Sequence, residues 1–196
     1  MPHAWEISPV IHGDARGAFL ESFRADRLAE ATGRGFELRQ GNTSISRRGV
    51  ARGVHFADID QGGGGQAKYV TVLVGAVTDY IIDIRVGSPT FGKWDSVELD
   101  DQNRKAVFLS EGLGHLFVVT SETATVNYLV NDVYRPNREH GISPVDPELG
   151  LGLRRDELVL SAQDVAAPTL AAAAAAGLLP TWEASLARYS EQGTSA

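Results

Sequence analysis

A mainly β chain, folded as a jelly-roll barrel and trimmed by short N- and C-terminal helices, is the expectation for these 196 residues. Two observations carry it. From Phe36 to about Val130, segments such as Tyr69–Val74 (YVTVLV), Val77–Arg85 (VTDYIIDIR) and Thr125–Val130 (TVNYLV) are rich in β-branched and aromatic residues, and several alternate. Gly75-Ala76, Gly87-Ser88-Pro89 and Gly112-Leu113-Gly114 punctuate them as turns. Many short strands at such spacing close as a sandwich or barrel, and a jelly roll is the commonest closure at this size.

The elements follow in order. Residues 1–35 read as an N-terminal arm with one helix, Arg24–Ala31, stopped near Gly33. Residues 36–135 form the barrel core. Within it, Gly62–Gly65 is four consecutive glycines with no Lys-Ser/Thr pair in register, so it reads as a flap beside a site or a plain surface loop rather than a phosphate loop. A proline-punctuated loop, Arg135–Pro147, leads into residues 136–196. There Asp164–Ala176 holds eight alanines and should be helical, with Gly177 as its stop. A second short helix should run from Thr181 to about Tyr189, with the final residues frayed. The whole, 1–196, reads as one domain.

Composition narrows the function. Eighteen Lys and Arg against 25 Asp and Glu leave a net charge of −7, which argues against coating nucleic acid, a process driven by phosphate neutralisation. The chain has no cysteine, which removes disulfides, zinc–thiolate sites and thiol nucleophiles together. No apolar run reaches membrane-spanning length, and the first ten residues lack a signal-peptide pattern, so a soluble cytoplasmic protein without membrane contacts is expected.

Jelly-roll barrels of the cupin type often hold a metal on histidines. The five histidines here are His3, His12, His55, His115 and His140, and none forms the His-x-His pair that puts two ligands on one strand face. Only His55 and His115 sit where strands or strand ends are expected, so no metal and no other cofactor is expected. In Arg48–His55, simple alternation would place Arg52 and Val54 on one face, and Gly53 and His55 on the other. An inward His55 would be either a base or a core histidine satisfied by a carbonyl. Lys68 and Tyr128 also lie on apolar strands and need partners if they face inward. Together the three would supply a base, an anion stabiliser and an acid.

Six blocks then resemble a known family in order. They are His12–Glu21 (HGDARGAFLE), Gln40-Gly41-Asn42, Arg52-Gly53-Val54-His55, Ser88–Trp94 (SPTFGKW), Glu111–His115 (EGLGH) and Asp146–Gly150 (DPELG). Over about residues 8–170 the chain is similar to the dTDP-4-dehydrorhamnose 3,5-epimerase family of metal-free cupins. The resemblance implies a jelly-roll homodimer acting on a dTDP-4-keto-6-deoxyhexose. It also implies His55 as the base with Asp164 as its partner, Lys68 stabilising the enolate oxygen and Tyr128 as the acid on the opposite face. Asp164 could otherwise be the N-cap of the alanine-rich helix. His115 would line the same pocket and help polarise the carbonyl. The resemblance further implies Arg16 and Arg52 on the diphosphate, and polar contacts to nucleotide or sugar from Glu21, Gln40, Asn42 and Glu139. Tyr134 would pack on thymine, while Arg16 and Glu21 would arrive from the partner subunit.

Several positions depart from the common pattern. The chain has Lys68-Tyr69-Val70-Thr71 where many relatives have Lys-Leu-Val-Arg, Leu129 where many have lysine, and Gly114-His115-Leu116 in place of Ala-His-Gly. These features resemble the natural-product deoxysugar branch and leave open whether C3, C5 or both are inverted. A cupin sugar-nucleotide 3,4-ketoisomerase and a non-catalytic sugar-nucleotide binder are the alternatives. A metal-dependent cupin oxygenase comes last. The charge is uneven as well: residues 1–54 carry 8 basic and 6 acidic side chains and the remainder 10 and 19, so the positive share lies with Arg16 and Arg52.

Overall fold

The computed structural model describes residues 1–59 and 64–193, so Gly62 and Gly63 of the expected flap and the terminal residues 194–196 lie outside the described residues. Along the chain run β1 (Ala4–Ile7), β2 (His12–Asp14), β3 (Gly17–Phe19), α1 (Ala25–Thr32), β4 (Gln40–Arg47) and β5 (Ala51–Ala57). Next come β6 (Lys68–Val74), β7 (Ala76–Asp83), β8 (Trp94–Asp100), β9 (Ala106–Leu109), β10 (Leu113–Val119), β11 (Thr123–Val130) and β12 (Glu139–Gly141). The tail adds α2 (Ala162–Ala166), α3 (Leu170–Ala175) and α4 (Trp182–Gly193).

Two five-stranded antiparallel sheets face each other, in the orders β1-β9-β6-β11-β4 and β12-β5-β10-β7-β8. This is the expected jelly roll, widened at both ends, since β1 comes from the arm and β12 from the proline-punctuated loop. Alternation builds three apolar layers. Val70, Val72, Leu109, Phe117 and Val126 fill the space between the sheets. Leu28 of α1 packs with Phe36, Tyr69 and Phe108 outside the first sheet. Outside the second sheet, Val54, Phe56, Ile82 and Leu116 are covered by Leu158, Leu170, Ala173 and Leu179 of the tail. The tail is therefore the outer wall of the second sheet.

Where structure and sequence differ, local chemistry explains why. Helix α1 ends as expected at Gly33, whose φ of 70° lets its N–H reach Ala29 O at 2.8 Å. The alanine-rich stretch is two helices rather than one. Pro168 has no N–H and restricts the residue before it, so α2 stops at Ala166, and Thr169 caps a new start with its side chain accepting from Ala172 N. Helix α4 runs past Tyr189 to Gly193. Of the expected turn Gly112–Gly114, only Gly112 (φ 86°) turns the chain, while Leu113 and Gly114 already belong to β10. His12 and His140 both lie on strands, which their sequence surroundings do not announce.

The simple alternation expected for β5 also fails. Arg52 pairs with Phe117 and His55 with His115, so three steps on β5 span two on β10. This bulge puts Arg52 on the same sheet face as His55 and sends Val54 into the outer layer. Gly53 makes the bulge possible: its φ is +127°, and a Cβ there would strike the His115 carbonyl oxygen and approach Leu116 Cα to 2.8 Å. Gly53→Ala should therefore cost at least about 2 kcal/mol in urea unfolding, from backbone strain and overpacking. An unchanged midpoint would contradict this account of the bulge.

Candidate active site

One end of the barrel opens into a cavity of about 170 Å3 between the two sheets. Its walls come from strand starts and ends that register brings level. Val130 pairs with both Gln40 and Lys68, closing one side, and Glu139 pairs with Ala57 on the other. From the first sheet come Gln40 and Asn42 of β4, Lys68 of β6 and Tyr128 of β11; from the second come His55 of β5 and Glu139 of β12. Tyr134 lies at the mouth, more than half exposed, and its N–H donates to Gln40 Oε1 at 3.0 Å. The Gln40 amide in turn donates to Asn42 Oδ1 at 2.7 Å. Seven of the expected site residues thus line one space.

His55 is held from behind. Its Nε2 lies 2.7 Å from Asp164 Oδ1, and Ser161 Oγ donates to Asp164 Oδ2 at 2.7 Å. Asp164 is not the helix N-cap. Ser161 is the cap and accepts from Asp164 N, which leaves the aspartate one turn in, with its carboxylate free to reach β5. Burial alone would raise the Asp164 pKa. The hydrogen bonds from His55 and Ser161 and the attraction of His55 outweigh it, and the carboxyl titrates below its usual 3.8. A ring N–H donated to this carboxylate leaves the other imidazole nitrogen with its lone pair.

The remaining titratable groups answer to burial. Lys68 is buried, and among the described residues its Nζ makes no hydrogen bond. Burial lowers its pKa, opposed by the charges of Glu139 and Asp79. Burial likewise raises the Glu139 carboxyl, with Lys68, His55 and His140 pulling it back. The Tyr128 hydroxyl is raised by burial too, with Arg52 acting against it.

Four expected residues lie elsewhere. His115, expected to line the pocket, is 5% exposed and sealed behind it, with Nε2 2.7 Å from Asp79 Oδ2. Pairing with His55 gives it the same sheet face, but it is buried there against Asp79 and does not line the cavity. Arg52 shares the face of His55 yet is exposed, its Nε donating to Ser46 Oγ at 3.1 Å. Arg16 stands on the exposed β2–β3 hairpin against Asp14, and Glu21 pairs with Arg24. Neither lines the cavity. Sequence reasoning missed Gln66, His140 and Gln163, which do line it, and Asp58, whose Oδ1 is 2.6 Å from His140 Nε2. The serine three residues before Asp164 was a legible capping signal; nothing comparable marks His140. Among the described residues, no three His, Asp or Glu side chains are grouped to hold a metal ion.

The family model described as dTDP-4-dehydrorhamnose 3,5-epimerase matches residues 1–172. The chain belongs to that family. It is 50% identical over 184 residues to a dTDP-4-dehydrorhamnose 3,5-epimerase of Mycolicibacterium smegmatis, covering 91% of this chain and 87% of the relative. It is 51% identical over 178 residues to a dTDP-4-dehydrorhamnose 3-epimerase of Streptomyces niveus, covering 91% and 84%. A crystal structure of a 3'-monoepimerase from Streptomyces bikiniensis in complex with dTDP-quinovose superposes with a TM-score of 0.92 at 43% identity, covering 97% of this chain and 96% of that one. The epimerase family is thus represented on both sides, by relatives named for two centres and by relatives named for one.

The tie between Asp164 and His55 has a pH signature. A carboxyl whose folded pKa lies below its unfolded value stabilises the fold fully above the unfolded value, near 4, and loses that contribution as pH falls through the folded one. Asp164→Asn should destabilise the protein at pH 7 by about 1–3 kcal/mol. The gap to the unsubstituted protein should shrink below about pH 4. Urea midpoints at pH 7 and pH 3 check this, and a gap of equal size at both would contradict it.

Proposed function

We propose that this chain epimerises a dTDP-4-keto-6-deoxyhexose in deoxysugar biosynthesis, inverting C3, C5 or both. The observation that carries the reading is the split of acid and base between two sheets. His55, backed by Asp164, comes from β5, while Tyr128 comes from β11 on the facing sheet. A 4-keto group acidifies the protons on C3 and C5. Inversion needs one proton removed from one ring face and another delivered from the opposite face. His55 takes the first, and the Asp164 carboxylate favours the imidazolium that results. The Tyr128 hydroxyl, kept protonated by burial, supplies the second. Negative charge develops on the C4 oxygen in between, and Lys68, which makes no hydrogen bond among the described residues, lines the cavity to meet it.

Glu139, Gln40 and Asn42 offer polar contacts to the sugar and nucleotide, and Tyr134 at the mouth offers a face for thymine. Arg52 lies on the His55 face, suited to diphosphate. Arg16 and Glu21 support a homodimer. They sit in and just after the β2–β3 hairpin, which pairs with no other strand among the described residues, in a segment that exposes Val10, Ile11 and Phe19. A second subunit would cover that arm and receive its arginine in the nucleotide site. In this reading the protein works in the cytoplasm; among the described residues no helix is long and apolar enough to cross a membrane.

Incubation with the 4-keto sugar nucleotide in D2O tests the reading by NMR. Deuterium should enter C3, C5 or both, with inversion at each labelled centre. No deuterium at either, or a product whose keto group has moved to C3, would overturn it. His55→Ala should lower turnover by about 10²–10⁴-fold.

A further inference from the structure

The ammonium of Lys68 makes no hydrogen bond among the described residues, so its position is set by where its strand begins. That start is fixed from outside the strand ladder. Val130↔Lys68 is the last pair between β11 and β6, and one residue further Asn131 takes over with its side chain: Oδ1 accepts from Ala67 N at 2.8 Å. Asn131 therefore ties the end of the Tyr128 strand to the residue before Lys68.

Asn131 is itself oriented. Its Nδ2 donates at 2.7 Å to Oε1 of Glu111, a fully buried carboxylate. The other Glu111 oxygen accepts from Arg34, just past the end of α1, at 2.5 Å. The Glu111 backbone carbonyl accepts from Tyr189 of α4, also at 2.5 Å. Tyr189 is wedged between the Arg34 guanidinium, 4.3 Å above its ring, and the His3 ring at 4.5 Å, while Arg85 donates to its hydroxyl at 3.2 Å. Helix α4 lies past residue 172, where the match to the family model stops. Gly65 leaves no slack at this point, because a Cβ there would approach Glu111 Cβ to 2.7 Å.

We propose that Asn131 is a positioning residue for the reaction, and that Glu111 and the C-terminal helix, through Tyr189, fix it so that it holds Lys68 at the enolate oxygen. The proposal rests on the epimerase reading. A buried glutamate, its carboxylate held by Arg34 and its backbone carbonyl by Tyr189 of α4, gives Asn131 one hydrogen-bonding orientation, since only its amide nitrogen can face Glu111 and only its oxygen can face Ala67 N. Displacing a charged group by about 1 Å from a developing oxyanion is enough to cost about 10²-fold in rate.

Full-length variants assayed on the 4-keto sugar nucleotide test it, with dTDP affinity and thermal unfolding measured alongside. Asn131→Ala should lower kcat ten- to a hundred-fold while leaving dTDP affinity within about twofold. Asn131→Asp should be at least as damaging, because it sets a second carboxylate against Glu111. Pairing it with Glu111→Gln reverses donor and acceptor between the two side chains and should recover much of the lost kcat. Tyr189→Phe, which removes only a hydroxyl, should lower kcat several-fold in a folded protein and decides the matter if Asn131→Ala does not fold. Unchanged kcat in Asn131→Ala or Tyr189→Phe would overturn the proposal. So would a loss matched by dTDP affinity, or the absence of recovery in the double variant. Failure of the unsubstituted protein to exchange protons in D2O would instead overturn the epimerase reading.

Discussion

The 2.7 Å contact between His55 Nε2 and Asp164 Oδ1 joins the two parts of this molecule that the rest must serve, a barrel strand and the tail wrapped over it. For the contact to form, Ser161 must cap α2 so that the aspartate falls on its first turn. Pro168 then ends α2, and α3 starts afresh with Leu170 and Ala173 against the outer face of the second sheet. On the barrel side, the Gly53 bulge turns His55 inward together with Arg52 while Val54 anchors the strand in the outer layer. Packing, capping and backbone conformation converge on one imidazole.

Burying polar chemistry in an apolar barrel constrains everything around it. An ionised group removed from water needs a partner or shifts toward neutrality. Three imidazoles are each set against a carboxylate within 2.6–2.7 Å: His55 with Asp164, His115 with Asp79 and His140 with Asp58. Among the described residues Lys68 is left without a hydrogen bond, close enough to Glu139 and Asp79 to feel both charges. The polar end thus gathers ionisable side chains around one cavity. Away from that cavity, Arg34 pairs with Glu111 and Arg85 with Asp83, so each of these buried charges is set against an opposite one.

Much of this was legible in the sequence, for reasons that differ by element. Strands β6, β7 and β11 announce themselves because β-branched alternation and glycine turns are local signals, and α1 because Gly33 terminates it. Strand β12 was not legible, since Glu-His-Gly carries no strand pattern and exists only by pairing with β5. The same is true of His140 in the cavity wall. The face of Arg52 could not be read from alternation because a bulge is a relation between two strands. His115 illustrates the converse: its motif and its ladder partner place it beside His55, but it is buried against Asp79 rather than open to the cavity. Arg16 and Glu21 lie away from the cavity, and no local pattern in the sequence ties them to it.

The central claim is that base and acid act from opposite sheets, His55 on one ring face and Tyr128 on the other. The most direct measurement compares proton exchange with inversion in Tyr128→Phe, by NMR of the 4-keto sugar nucleotide in D2O. If the account is right, His55 still removes and returns a proton on its own face, so deuterium enters with configuration retained while inversion falls about 10²-fold or more. Inversion at the unsubstituted rate in Tyr128→Phe, or deuterium exchange that persists in His55→Ala, would contradict it.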